Sequence, residues 1–505
     1  MLHTLASSAK THVPRGVTIC TKQQWLLKDN YLFFSRFFQH HSSIHKDNCI
    51  RKTNLRTPVL QSSRCDQRRY FRDYFTTEVP GGSQHPEGYA PKHGGGRGTS
   101  TIRIPLKSAK HHFGAVRSRG SRISNEDWYQ AGTIDVESFS KPLPEKEANE
   151  LTQGVPGDKS NVFYFGVFDG HGGDKCSSFL KDWLHDYIER SARLFKDAEG
   201  INEAGGSVMG SDKIEKLKEE LLDEWKNTVG GYFKRFRPVF GPNSSENEVT
   251  AEGGIEAGTF TSSVAYAFLR ADLDFISHKG PAYPAEEQAK EPFPGGSTAS
   301  VALISTPTHV PFWNPRTPAT LVTAHVGDTR IILCNTETGQ GEPLTHNHHP
   351  SSPTESGRLR RYAAAFVSDS FGEERFGGFA NTRAFGGTPQ KRMGISAEPD
   401  ILTKVLGPSQ YSFLVLCTDG VSGVLSDQEI VDIVKECRTP EEGARALVAF
   451  AEDVGGLSGD NATAIVVRLG GWTRRIIGGC GSAGTREHRR WKKEHGSAET
   501  GNRPQ

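Results

Sequence analysis

The order of strand-like and helix-like segments is the feature that most limits how this chain can fold. Runs rich in β-branched and aromatic residues predict strands at 112–118, 128–134, 161–168, 300–305, 319–326, 330–335, 412–417 and 462–469. Amphipathic spacing predicts helices at 177–194, 213–236, 259–278, 427–437 and 440–454, with loops at 196–212 and 281–296. Because strands come in groups before and after grouped helices, the pattern predicts an α+β fold with mainly antiparallel sheets, and not a doubly wound parallel sheet.

Composition excludes several classes of protein. No apolar run approaches the roughly 18 residues that a membrane-spanning helix needs, so no transmembrane segment is predicted. The eight cysteines are dispersed and lack CxxC spacing, which argues against structural zinc and a disulfide framework and favours free thiols in a reducing compartment.

The formal charge of +2 is unevenly distributed along the chain. Residues 1–70 hold 12 Lys and Arg against 3 Asp and Glu, which leaves 49 basic and 56 acidic residues in the remainder. A nucleic-acid-binding surface along the whole chain is therefore not predicted. A binder that uses only the basic ends is a weak alternative, because aromatic residues are sparse among those charges.

The first 70 residues have the composition of a targeting signal. Residues 1–28 contain no Asp or Glu and carry Lys10, Arg15, Lys22 and Lys28, which is typical of a mitochondrial transit peptide. The alternative is a basic arm without a targeting role. We further predict a linker at 71–110, a catalytic domain at 111–470 with an insertion around 196–295, and a basic flexible tail at 471–505.

Four acidic motifs adjoin predicted strands: Asn125-Glu126-Asp127, Asp169-Gly170-His171, Thr418-Asp419-Gly420 and Asp460-Asn461. Each motif alone is more often a turn or a solvated loop. Carboxylates at strand ends can, however, converge in one cleft, and Mg²⁺ and Mn²⁺ favour such oxygen ligands. Two ions about 3.5–4 Å apart can activate water for in-line attack on phosphorus.

In this order and at this spacing, the motifs resemble the protein phosphatase 2C family from about residue 111 to residue 469. The match includes the stretches 119–127, 165–173, 295–299, 324–330, 382–386, 398–400, 416–420 and 459–463. The resemblance implies a metal-dependent serine/threonine phosphatase, a fungal-type mitochondrial member of the family. It also implies a β-sandwich of two antiparallel sheets flanked by helices on both sides.

The resemblance implies a role for each site residue, with two Mg²⁺ or Mn²⁺ ions as cofactors. Asp169 is expected to bridge the two metals, and Asp419 and Asp460 to hold one of them. Glu126 and the carbonyl of Gly170 are expected to hold the other metal, with Asp127 contacting metal-bound water.

Two residues are expected to act on the substrate. Arg122 would clamp the phosphate, for which the guanidinium fork is well suited. His171 would donate a proton to the departing seryl or threonyl oxygen, because an alkoxide is a poor leaving group.

The chain departs from the family pattern at two positions. Gly423 stands where the family commonly has an acidic residue, and Gly387 stands where an Asp often follows the motif at 382–386. Asp328 matches a residue associated with a third, weaker metal, and the glycine at 423 weakens the case for that ion.

Two other readings compete with an active metal-dependent phosphatase. A non-catalytic scaffold is disfavoured because Asp169, Asp419 and Asp460 are all present. A Cys-dependent phosphatase is disfavoured because Cys176 lacks a following Cys-x5-Arg loop.

The expected partner is a phosphoprotein substrate in mitochondria, in the matrix or the intermembrane space. Family analogy suggests the E1 subunit of the pyruvate dehydrogenase complex. We expect a monomer that does not bind nucleic acid.

Overall fold

The computed structural model describes residues 74–80, 99–105, 112–153, 161–199, 208–242, 255–281, 283, 295–360, 366–369, 374–456, 459–478 and 482–499. All of them belong to one compact unit, Arg69–Gln505. The predicted transit peptide at 1–70 lies outside the described residues.

The strands are β1 (Tyr74–Pro80), β2 (Thr99–Pro105), β3 (Phe113–Ser118), β4 (Trp128–Ile134), β5 (Val162–His171), β6 (Gly296–Ser305), β7 (Ala319–Val326), β8 (Arg330–Asn335), β9 (Gly341–Pro343), β10 (Phe366–Ser368), β11 (Glu374–Phe376), β12 (Phe385–Gly386), β13 (Asp400–Leu406), β14 (Tyr411–Cys417) and β15 (Ala462–Arg468). The helices are α1 (Glu145–Thr152), α2 (Lys175–Glu199), α3 (Val208–Thr228), α4 (Ile255–Ser277), α5 (Pro353–Arg360), α6 (Thr388–Met393), α7 (Asp419–Ser422), α8 (Asp427–Lys435), α9 (Pro440–Gly455) and α10 (Ser482–Glu499). Short 3₁₀ turns follow at Gly231–Arg235 and Trp472–Arg474.

Two large antiparallel sheets form the centre of the molecule. The first has the order β13-β7-β6-β5-β4, with β12 paired to β6, and the second has the order β3-β15-β14-β8-β9. Every pairing within both sheets is antiparallel. The predicted α+β class with antiparallel sheets is confirmed.

Strand β5 shows why the sequence forms a layered core. Its side chains alternate between faces, so Phe163, Phe165 and Val167 enter the apolar layer between the two sheets. Tyr164 and Phe168 point the other way, into the layer beneath the helices. Because both faces of β5 are buried, its sequence is a continuous apolar run in which polar residues do not alternate with apolar ones.

Helices cover the outer face of each sheet. On the first sheet, α2, α3 and α4 contribute Leu184, Trp225 and Phe268 to one apolar cluster. On the second sheet, α8 and α9 contribute Val434 and Leu447 to another. The result is the helix–sheet–sheet–helix architecture that the family resemblance implies.

The structure corrects several boundaries. Helix α2 continues to Glu199, and α3 starts at Val208 and ends at Thr228, where the predicted helix ran from 213 to 236. Gly230, directly before the 3₁₀ turn, and Gly231, its first residue, have positive φ angles of 68° and 56°, which do not continue right-handed helical geometry. In its described parts, the predicted insertion at 196–295 contributes α3 and α4 to the first helix layer.

Two segments expected to be irregular contain regular structure. Within the predicted linker at 71–110, β1 and β2 form an antiparallel pair. Within the predicted flexible tail at 471–505, α10 packs against α8 and α9, and its Lys492 ammonium lies 2.9 Å from Glu429 Oε2. Among the described residues, no helix is long and apolar enough to cross a membrane.

Candidate active site

Three carboxylates meet where strands of both sheets end. Asp169 lies near the end of β5, Asp328 in the turn between β7 and β8, and Asp419 at the start of α7, directly after β14 and Thr418. Each offers one oxygen atom, and these atoms lie within 4.8 Å of one another. These residues are up to 250 positions apart in the chain. They meet because β5 and β7, both antiparallel to β6, end at the same edge of the first sheet, and the end of β14 pairs with the start of β8 in the second sheet.

The close approach of these carboxylates is electrostatically unfavourable in the chain alone. Burial, followed by the charges of Asp419, Asp127 and Asp328, raises the pKa of Asp169 well above its ordinary value. Burial, with the charge of Asp419, raises the pKa of Asp328 to about 7. A divalent cation among these oxygens would remove this penalty, so the donor set fits a hard metal ion.

Asp127 lies behind the cleft and not in its wall. Its side chain is fully buried, and Oδ2 accepts hydrogen bonds from the hydroxyls of Thr418 (2.9 Å) and Thr463 (2.7 Å). Burial raises its pKa to about 6, although the two hydroxyls act against this. Its Oδ1 atom is buried and accepts no hydrogen bond from the described residues. A buried carboxylate oxygen in this state needs a cation or an ordered water.

Glu126 and Gly170 are held side by side. A Cβ at Gly170 would lie 2.4 Å from the Glu126 carbonyl oxygen, so this approach requires glycine. The same carbonyl accepts a hydrogen bond of 2.5 Å from Ser177 in α2. The Glu126 N–H donates to Asn461 Oδ1 at 2.8 Å, which ties this loop to the one that carries Asp460.

Asp460 pairs with Arg122 at the mouth of the cleft. Arg122 Nη2 lies 2.6 Å from Asp460 Oδ2, and the two side chains are 59% and 41% exposed. Exposed pairs of this kind contribute little to stability, so the guanidinium is available to another anion. Asn461, quoted from the sequence only as part of a motif, fixes both loops through its amide nitrogen, which donates to the carbonyls of Arg119 and Ser124.

His171 lies at the cleft wall beside Gly296. A Cβ at Gly296 would lie 2.7 Å from His171 Nε2, so the imidazole packs directly on that glycine. Desolvation within the cleft lowers the pKa of His171, whereas the Glu126 carboxylate acts in the opposite direction. The imidazole therefore lies in the lining of the same cleft as Glu126 and Asp169.

A cleft of about 810 Å³ contains seven of the eight predicted site residues, namely Arg122, Glu126, Asp169, Gly170, His171, Asp419 and Asp460. Asp127, the eighth, lies outside its lining. The cleft also contains residues to which the sequence assigned no role in the site, among them Ile123, Thr298, Phe379, Asn381 and Gln390. None of these is charged. Ile123 and Thr298 lie within the matched stretches 119–127 and 295–299 but had no individual role, and Phe379, Asn381 and Gln390 lie outside every matched stretch.

Comparisons with known proteins identify the family of this chain. A family model described as Protein phosphatase 2C matches residues 258–456. The chain is 30% identical over 425 residues to Protein phosphatase 2C homolog 4 of Schizosaccharomyces pombe, covering 84% of this chain and 93% of that protein. It is 28% identical over 315 residues to Protein phosphatase 1K, mitochondrial, of Xenopus laevis, covering 62% of each.

Among solved structures, the chain resembles a serine-threonine phosphatase 2C from Toxoplasma gondii. The sequence identity is 21% and the TM-score is 0.44, with 71% of this chain and 94% of that chain covered.

Proposed function

Since the chain belongs to the protein phosphatase 2C family and is a metal-dependent protein serine/threonine phosphatase, we propose that it uses two divalent cations, Mg²⁺ or Mn²⁺. The observation that carries this proposal is the approach of Asp169 and Asp419, two of the expected ligands, within 4.8 Å of each other and of Asp328. The buried Oδ1 of Asp127, which lacks a hydrogen-bond donor among the described residues, supports it. When bound, the ions supply a hydroxide nucleophile at neutral pH and stabilise charge on the phosphoryl oxygens.

The proposed ligands follow the sequence expectation. Asp169 would bridge the two ions, Asp419 and Asp460 would hold one of them, and Glu126 with the carbonyl of Gly170 would hold the other. Asp127 would contact metal-bound water through Oδ1.

Arg122 and His171 act on the substrate in this proposal. The Arg122 guanidinium leaves its exposed partner Asp460 and binds the substrate phosphate through two parallel N–H donors, which a phosphate dianion accepts well. His171 then delivers a proton to the leaving seryl or threonyl oxygen.

Metal removal tests the proposed function. The purified full chain should hydrolyse a phosphothreonine peptide with Mg²⁺ or Mn²⁺, lose the activity in excess chelator, and regain it when the metal is restored. Isothermal titration of the metal-free protein with Mn²⁺ should give two tight equivalents. Full turnover in excess chelator, or a single equivalent, would contradict the two-metal proposal.

We also propose a mitochondrial location, with residues 1–70 as the import signal and the catalytic domain at 111–470. The acid-poor composition of residues 1–28 supports this, and one relative carries the word mitochondrial in its name. Residues 1–70 fused to a fluorescent reporter should direct it to mitochondria. The control is a reporter in which the Lys and Arg residues of 1–28 are replaced by Gln, and it should stay in the cytosol. A diffuse signal from the unaltered fusion would contradict the proposed mitochondrial targeting.

The proposed substrates are phosphorylated mitochondrial proteins, with the pyruvate dehydrogenase E1 subunit as the first candidate. Phosphopeptide profiles of purified mitochondria with and without the protein should differ at its substrates. The protein is proposed to act as a monomer, which light scattering on the purified chain measures directly.

A further inference from the structure

One side chain of the cleft connects a wall of the cleft to its acidic floor by a hydrogen bond. The wall is the flap segment, defined as residues 374–381, which begins with β11 and reverses direction at Gly377 and Gly378, both with positive φ. At its end, Asn381 Nδ2 donates to Asp328 Oδ2 at 2.8 Å. Asn381 therefore contacts one of the three converging carboxylates.

The rest of the flap segment is held from other directions. Phe376 and Phe379 exchange two backbone hydrogen bonds of 3.0 Å across the turn. Phe376 is buried in a small apolar cluster with Leu359, Ala384 and Ile395, and Phe379 packs against it. These contacts join the flap segment to α5 and to the chain after it, and they do not reach the acidic floor.

The residue after Asn381 is firmly anchored. The Thr382 N–H and hydroxyl both donate to the His348 carbonyl at 2.9 Å, and the hydroxyl also lies 2.6 Å from Glu355 Oε2. His348 in turn accepts a hydrogen bond from the Gly327 N–H at 2.9 Å, directly before Asp328. Asn381 and Asp328 are therefore presented to each other by one connected framework.

We propose that Asn381 is a positioning residue that latches the flap segment to the catalytic floor through Asp328. The hydrogen bond holds the flap segment against the cleft that Asp169 and Asp419 also line. It also fixes the orientation of the Asp328 carboxylate toward Asp169 and Asp419. Loss of the latch frees the flap segment while the apolar cluster and the Thr382 anchor keep it folded.

Hydrogen–deuterium exchange on the full chain tests the latch in excess chelator, where no metal contributes. Asn381→Leu, of similar size, should speed exchange of a peptide covering residues 374–381 by roughly ten- to hundredfold, the range for a hydrogen bond to a charged group. Asp328→Ala should have the same effect. The double variant should show no further increase, because both changes break one contact.

A matched control is Val367→Ser in β10, which pairs with β11 and has a 56% exposed side chain. It should leave exchange of the 374–381 peptide unchanged. Unchanged exchange in Asn381→Leu, additive effects in the double variant, or faster exchange throughout β5 and β6 as well would overturn the proposal.

A kinetic measurement separates positioning from simple stability, and this arm alone rests on the proposed phosphatase function. Asn381→Leu should raise KM for a phosphothreonine peptide several-fold and leave KM for p-nitrophenyl phosphate nearly unchanged, because only the peptide extends onto the flap segment. Equal changes for both substrates would contradict the latch. If the unaltered protein hydrolyses neither substrate, the proposed function fails, and the exchange experiment still decides on the latch.

Discussion

The ammonium of Lys391 lies 2.5 Å from Asp272 Oδ2, and both side chains are fully buried beneath the cleft. Asp272 Oδ1 accepts the Gly386 N–H at 2.8 Å, and Lys391 also donates to the Ala384 carbonyl. The pair therefore joins α4 and α6 to the segment that forms one wall of the site. Burial raises the pKa of Asp272 and lowers the pKa of Lys391, so each charge depends on the other.

Lys391→Met should destabilise the protein by about 3–5 kcal/mol, because it leaves the Asp272 carboxylate buried without a partner. The double variant with Asp272→Asn should recover part of that loss. Chemical denaturation measures both. Lys404→Met is the control, since Lys404 and Glu342 form a partly exposed pair, and it should cost less than about 1 kcal/mol. Equal losses of stability in the two lysine variants would show that burial does not increase the contribution of the Lys391–Asp272 pair.

Asp169→Asn should separate metal binding from folding. Turnover should fall by several orders of magnitude and Mn²⁺ titration should lose both tight equivalents, since the bridging carboxylate serves both sites. In chelator, however, its melting temperature should equal or exceed that of the unaltered protein, because one of several crowded carboxylates is gone. Asp182→Asn, on the exposed surface of α2, is the control and should change neither property.

His171→Gln should show whether this residue supplies a proton. Turnover of a phosphoserine peptide should fall about 10²–10⁴-fold, the usual range for general acid catalysis. Hydrolysis of p-nitrophenyl phosphate should fall much less, because p-nitrophenolate leaves without protonation. Asp460→Asn should instead depress both substrates comparably. Equal losses in His171→Gln would show that the imidazole positions the Asp169 segment without donating a proton.

The buried Glu355 predicts a pH dependence of stability. Burial alone would raise its pKa, but the charges of Arg383 and Arg358 outweigh this and hold the pKa well below its ordinary value. A depressed carboxyl pKa contributes stability above the unfolded value of about 4.3, and the contribution is lost as pH falls toward the folded pKa. The stability difference between the unaltered protein and Glu355→Gln should therefore be large at pH 7 and shrink between pH 5 and pH 3. Denaturation curves that differ by a constant amount across that range would contradict this assignment.

The C-terminal helix α10 should contribute to stability through Lys492. Its ammonium contacts Glu429 Oε2 at 2.9 Å and the Val424 carbonyl at 3.0 Å, and the Glu429 side chain is only 5% exposed. Lys492→Ala should lower the free energy of unfolding by about 1–3 kcal/mol, because the buried Glu429 carboxylate loses a charged hydrogen-bond donor. Lys493→Ala is the matched control, since its partner Asp453 is 47% exposed, and its effect should be below about 1 kcal/mol. Equal effects for the two variants would contradict the larger contribution expected from the contact with the buried Glu429.

The strands and helices with long apolar or strongly periodic sequences could be predicted, because the residues that favour the local structure are also the residues that are buried in the fold. The run in β5 and the amphipathic stretch in α2 are examples, and their ends were wrong by only a few residues. The boundary of α3 was missed because the apolar spacing continues past Gly230, where the backbone turns. Helix α10 was not predicted because its sequence is mostly charged. Its side chains form ion pairs with Glu429 and Glu436, about 50 residues or more away in the chain.

By itself, the sequence determined the α+β class, the family, and a set of acidic motifs whose roles in metal binding stay predictions. Only the tertiary structure decided that Asp328 joins Asp169 and Asp419, that Asp460 faces Arg122, and that Asp127 lies behind the cleft. It also decided the contacts of Asn381 with Asp328 and of Lys391 with Asp272. The physical reason is that strand and helix patterns depend on neighbours two to four positions away, whereas ion pairs and hydrogen bonds between distant residues depend on how the layers stack.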